Sequence, residues 1–145
     1  MSTVPEVSAA LRAMQDRAPA GVKAAAAAMG LLMETAAKLE LSRVSHARGT
    51  PTPSPPGSPP ALIGGALRRS VMTVPGDMSG YRASVQVGGT IVYARIQELG
   101  GRAGRNHASL LPPRPYLRPA AGRIIGGGTA GRAACAAFTA AVDAG

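Results

Sequence analysis

Fourteen residues about a third of the way along the chain, Ala47–Pro60 (ARGTPTPSPPGSPP), hold six prolines. Proline fixes its own φ, lacks an amide donor and pushes the residue before it into extended backbone. The stretch can therefore be neither helix nor central strand. It reads as an extended, partly polyproline-like linker or an exposed loop. Its expected use is as a spacer, or as an arm laid along a neighbouring subunit. At 145 residues the chain has the length of a single domain. The prolines divide it into a helical segment (1–46), the linker or loop (47–60), a sheet-containing core (61–118) and a C-terminal helix (119–145).

In the front segment, Thr3 with Glu6 fits a capping box, and Pro5 suits a first helical turn. Val7, Ala10, Leu11 and Met14 then recur at helical spacing. Pro19 and Gly21 predict a kink or break near Arg17–Ala20. Beyond it, Val22, Ala25, Ala26, Met29, Leu32, Met33, Ala36 and Leu39 form an apolar stripe, with Lys23, Glu34, Lys38 and Glu40 largely off it. The run of alanines would let another element approach closely.

After the prolines, ALIGGALRRS (61–70) predicts a turn and a short helix. Strands are expected over 70–74 and 81–87, joined by the turn-rich PGDMSG. In the second strand Tyr81, Ala83, Val85 and Val87 alternate with Arg82, Ser84 and Gln86, giving one apolar and one polar face. Ile91–Leu99 could extend the sheet, but Val92, Ile96 and Leu99 share a helical face and favour a short helix. Gly100–Ser109 reads as a permissive loop carrying Arg102, Arg105 and His107. The final helix is expected from Pro119 to Val142, weakened at Gly126–Gly128. The fold class is α+β, with long N- and C-terminal helices packed on a small antiparallel sheet.

The core must be made mainly from small and aliphatic residues, because the chain has three Tyr, one Phe and no Trp. Small side chains bury little area each, so a lone subunit should be marginally stable and an oligomer favoured. The charge is uneven. Four basic and four acidic residues cancel over 1–41, while twelve arginines face only Asp77, Glu98 and Asp143 over 42–145, giving the whole net +9. A basic half of this kind suits a polyanion or an acidic partner surface; it also suits plain solubility.

Enzyme chemistry is not indicated. Gly126, Gly128 and Gly131 match G-x-G-x-x-G, but no strand of useful length is expected before them and no βαβ unit is expected after them. No phosphate-cradling loop of the G-x-x-x-x-G-K-[ST] type occurs. His46 and His107 lack the companions a metal site needs, and the acids form no evident catalytic pair. Cys135 is alone and is expected to be a small buried helix residue. No catalytic, cofactor or metal residue is therefore assigned, and no cofactor is expected. No secretion signal or membrane-spanning run is expected either, so no membrane partner is assigned.

Three ordered elements carry a family resemblance. Gly65, Ala66, Leu67, Arg68, Arg69, Ser70 and Val71 match Gly-x-Leu-Arg-x-Ser-hydrophobic. Tyr93, Ala94, Glu98, Leu99 and Gly100 match a Tyr-Ala…Glu-hydrophobic-Gly element. Pro112, Arg114, Pro115, Tyr116, Leu117, Pro119 and Ala120 match Pro-x-Arg-Pro-aromatic-Leu-x-Pro-Ala. Over roughly 60–125 the chain resembles phage neck and tail-component proteins of the gene-product-ten-like type, related to the tail-completion proteins of Mu-like phages. It departs in having Gly64 where Thr or Ser is common, and in its long proline stretch.

The resemblance implies a non-enzymatic structural protein of the virion, assembled in the host cytoplasm. It would form a homo-oligomeric ring, six-fold by expectation, at the head–tail junction around the DNA channel. Partners would be neighbouring neck, portal-side or tail-tube proteins, with DNA passing through nonspecifically. Tail terminator and adjacent neck or completion protein remain equal alternatives, and a stand-alone nonspecific DNA-binding protein is the competing class. On this reading Tyr93, Gln97, Glu98, Arg114 and Tyr116 organise the fold and subunit interfaces. Tyr116 is expected under the Pro112–Pro115 turn and Glu98 paired with an arginine. Arg102, Arg105 and His107 mark the loop expected to line a channel or meet a neighbouring ring.

Overall fold

The computed structural model describes residues 3–50 and 52–144. Its organising element is α1 (Val4–Glu40), a single 37-residue helix about 55 Å long at 1.5 Å per residue. The Thr3 amide donates to the Glu6 carboxylate at 2.7 Å, so the expected acidic cap is in place. Pro19 does not end the helix. The carbonyl it orphans belongs to Gln15, which is exposed, so water can take over that bond. The helix stops at Glu40, six residues short of the expected boundary, and Ser42 Oγ closes the last turn by donating to the Lys38 carbonyl at 2.7 Å.

Two elements pack on α1. The first is a hairpin of β1 (Val71–Ser79) and β2 (Arg82–Gly89), entered through the short helix α2 (Ala66–Ser70). The strands run beyond expectation: Pro75–Ser79, predicted as turn, continues β1 through a bulge between Pro75 and Met78. Proline is tolerated there because a two-stranded hairpin has only edge strands. Gly76 makes the bulge possible, since a Cβ on it would lie 2.4 Å from Ser84 Oγ. Only Gly80 and Tyr81 are left to turn, and Tyr81 is exposed rather than part of the apolar face. Glu34 of α1 covers the open edge of β1. Its Oε2 accepts from the Thr73 amide at 2.8 Å and the Thr73 hydroxyl at 2.9 Å, while Oε1 accepts from Lys38 at 2.6 Å.

The second element is a helical pair, α4 (Leu117–Gly126) and α5 (Thr129–Asp143), broken at Gly127–Gly128 where the glycines weakened the pattern. Gly128 has φ +67°, a left-handed conformation that favours glycine. Helix α5 runs back along α1 until Phe138 and Val142 meet Gly21, where a Cβ would come within 2.7 Å of the Phe138 ring. Between hairpin and helical pair lie α3 (Ala94–Leu99) and a small second hairpin of β3 (Gly101–Ala103) and β4 (Ser109–Leu111). The architecture is α+β: long N- and C-terminal helices with small antiparallel sheets.

The core joins Ala36, Ala37, Leu41, Leu67, Val71, Ala94, Tyr116 and Ala120. The expected stripe on α1 is rotated from this. Met29 and Leu39 are exposed, while Gly30, Ala36, Ala37 and Glu40 are buried, because hairpin and α4 grip the helix from two sides. Glu40, expected off the stripe, is 1 % exposed and ion-paired to Arg43 and to Arg123 of α4. Cys135 lies on α5 as expected, but on its exposed side.

Candidate functional site

The residues singled out by sequence meet where α3, the Pro112–Tyr116 segment and the proline-rich loop converge. Helix α3 opens on Tyr93, which is partly exposed, and carries Gln97 and Glu98 one turn on. The Gln97 carbonyl accepts the Arg114 amide at 2.7 Å, fixing the following segment in place.

Glu98 does not make the expected pair with an arginine; its partners are backbone amides. Oε2 accepts from Tyr116 at 2.7 Å and Leu117 at 2.9 Å, and Oε1 from Arg118 at 3.0 Å. These are the amides that open α4, which the helix itself leaves unpaired, and the next residue, Pro119, has none to satisfy. The negative charge also sits at the positive end of the α4 dipole. Glu98 is thus a long-range cap joining α3 to α4.

Tyr116 is 1 % exposed. Its ring lies in the core cluster, and its hydroxyl reaches Gly89. A Cβ on Gly89 would lie 3.0 Å from that oxygen and 2.7 Å from Ala94 Cβ, so glycine is needed for the close approach. Burial pushes the phenol above its usual range, and the Glu98 charge adds to this, while a backbone hydrogen bond at Gly89 works against it.

Arg114 is the one buried arginine of the twelve that follow residue 41; the other eleven are exposed. Its Nε donates to the Ser54 carbonyl at 2.8 Å, and the Gly57 amide donates to Pro113 at 2.9 Å. The proline-rich stretch is therefore not a free linker. It is docked on its own chain, with Ser54 only 3 % exposed. Sequence reasoning missed this because the prolines advertise an extended backbone but say nothing of what it lies against.

Arg102, Arg105 and His107 do not belong to a loose loop. Arg102 stands on β3, and Arg105 and His107 on a 3-10 turn at the hairpin tip, where Asn106 and His107 take positive φ. All three are exposed. Gly100 anchors the hairpin: at φ +70°, a Cβ there would lie 2.8 Å from the Pro113 nitrogen.

Among the described residues, no group of three or more His, Cys, Asp or Glu is placed to hold a metal ion. Glu34, which accepts as many hydrogen bonds as Glu98, and Glu40 serve the packing of α1. Nothing in the sequence distinguished them from solvated helix charges. No described helix is long and apolar enough to cross a membrane. Comparison of the chain with family models, curated proteins and solved structures finds no match.

Proposed function

We propose that the chain is a structural subunit of a tailed-phage head–tail junction, forming a closed ring, six-fold by expectation, around the DNA channel. It would act as tail terminator or as an adjacent neck or completion protein. The observation that carries the reading is the first part of α1. Val4, Val7, Leu11 and Met14 are 80, 47, 62 and 56 % exposed and recur at three- and four-residue spacing along one side of the helix. A helix with such a seam, uncovered by its own chain, is built to meet another.

Two further features support this reading. The elements carrying the family resemblance are those that hold the subunit together, through Glu98 on α4 and Arg114 on the proline-rich loop. Exposed arginines give the assembly a surface that tolerates DNA without reading its sequence. The same arginines favour the second reading, a stand-alone nonspecific DNA-binding protein.

Electron microscopy of the purified chain, with duplex binding measured alongside, separates the two. The ring reading expects closed annuli with a central opening and weak binding to free duplex. Tight duplex binding by a monomer, falling steeply with salt, would establish the competing reading.

A further inference from the structure

A cyclic ring of more than two identical subunits rests on a heterologous contact, in which each copy offers one patch and receives a different one. The exposed row Val4, Val7, Leu11 and Met14 on α1 is one such patch. It is about 15 Å long at 1.5 Å per residue. A ring needs a second patch on the same subunit, apolar and concave enough to take a helix.

The surface of α3 and the second hairpin has that form. Val92, Ile96 and Leu99 read from sequence as one apolar face, yet Val92 is 99 % exposed and Leu99 56 %. All three line a cleft of about 350 Å³, together with Arg95, Arg102 and the paired glycines Gly100 and Gly101. Leu110, 77 % exposed, stands opposite Arg102 in the β3–β4 ladder, so the two side chains share one face of that hairpin. A cleft lined by apolar side chains is the complement of a helix that carries its own apolar row.

Charge favours a second copy of this chain as the occupant. Arg95 and Arg102 are exposed, and no acid is among the described residues lining the cleft. On a chain of net charge +9, most surfaces would repel it. Four acidic residues are exposed: Glu6, Asp16, Asp77 and Asp143. Glu6 and Asp16 stand on the free end of α1. Asp143 follows Val142, whose carbonyl accepts from Arg17 of α1 at 3.4 Å. Three of the four exposed acids are thus gathered at that end, against Arg12 and Arg17. It is an acid-rich end on a basic molecule.

We propose that the cleft beside α3 receives the free end of α1 from the next subunit, with Val4, Val7, Leu11 and Met14 against Val92, Leu99 and Leu110. Arg95 and Arg102 meet the acidic surroundings of that helix end, their aliphatic stems adding to the apolar contact. The proposal rests on the ring reading and supplies the second half of its contact.

The test is native mass measurement of the full chain, of a cleft variant (Val92→Gln with Leu99→Gln), of a seam variant (Leu11→Gln with Met14→Gln), and of the two variants mixed in equal amounts. Each variant alone should be a folded monomer, checked by far-UV circular dichroism. The mixture should form 1:1 dimers and no ring, because the intact seam of one variant meets the intact cleft of the other. A cleft variant that keeps the full oligomeric mass overturns the proposal while leaving the ring reading intact. So does a mixture that stays monomeric, or a cleft variant that dimerises through its seam alone. A monomeric wild type overturns both. Should the cleft variant fail to fold, Arg95→Glu with Arg102→Glu reads the same face through two exposed side chains. That pair should raise the concentration needed for assembly about tenfold or more, and an unchanged concentration counts against the proposal.

Discussion

The two ends of α1 invert the usual rule about which residues lie inside. Its C-terminal end is buried through small and charged residues: Gly30, Ala36, Ala37 and Glu40. Its N-terminal end carries larger apolar side chains, Val4, Val7, Leu11 and Met14, and leaves them all exposed. The difference follows from what each end meets. At the C-terminal end, small residues let the β1–β2 hairpin and α4 come close, and the charges are absorbed, Glu34 by Thr73 and Lys38, Glu40 by Arg43 and Arg123. A core made so largely of alanine gains little from each residue buried. Met29, Leu31 and Leu39 are exposed at this end too, but the apolar row at the other end is where, on the proposed reading, a subunit would complete its burial against a neighbour.

Several substitutions bear on this contrast, beginning with the strongest expected effect. Tyr116 is the one large aromatic in the core cluster, so Tyr116→Ala should cost about 3–5 kcal/mol of stability, read by denaturant unfolding. A loss below about 1 kcal/mol would mean that the packed end does not depend on it. Gly30→Ala should cost about 1–3 kcal/mol, because its Cβ would fall 2.5 Å from Thr73 Cγ2 and push the hairpin off α1.

A smaller effect concerns pH. Hydrogen bonds from Lys38 and Thr73 hold the Glu34 carboxyl below its ordinary value. Its folded pKa is thus lower than its unfolded one, so its contribution is present above the unfolded value and is lost as pH falls through the folded value. Glu34→Gln should flatten the acid limb of the stability profile while sparing the neutral region by comparison. An unchanged acid limb would remove Glu34 from the account of that end. Smallest in stability is Leu11→Gln with Met14→Gln. Both positions are exposed and glutamine is a good helix former, so the subunit itself should change by no more than about 0.5 kcal/mol.

Much of the architecture was legible because it rests on local signals. The capping pair Thr3 and Glu6, the alternation in β2, a short helix within Ile91–Leu99 and the glycine break before α5 each act over a few residues, although Val92 falls outside that helix and Leu99 is exposed, so the expected apolar face is not buried. What was not legible depends on partners distant in sequence. Pro19 reads as a breaker unless Gln15 is known to face water. PGDMSG reads as a turn unless Gly76 is known to sit against Ser84. Glu98 invites an arginine until the open amides of α4 arrive beside it, and the proline-rich stretch reads as a spacer until Ser54 meets Arg114. The importance of Glu98, Arg114 and Tyr116 was visible as motif; their bonds were not.

The central claim is that the exposed seam at the N-terminal end of α1 joins one subunit to the next. Native mass measurement of the wild-type chain beside the Leu11→Gln, Met14→Gln double variant tests it most directly. The account predicts a closed oligomer for the wild type, six copies by expectation, and a folded monomer for the variant. A wild-type monomer at assembly concentrations, or a variant that keeps the full oligomeric mass, would contradict it.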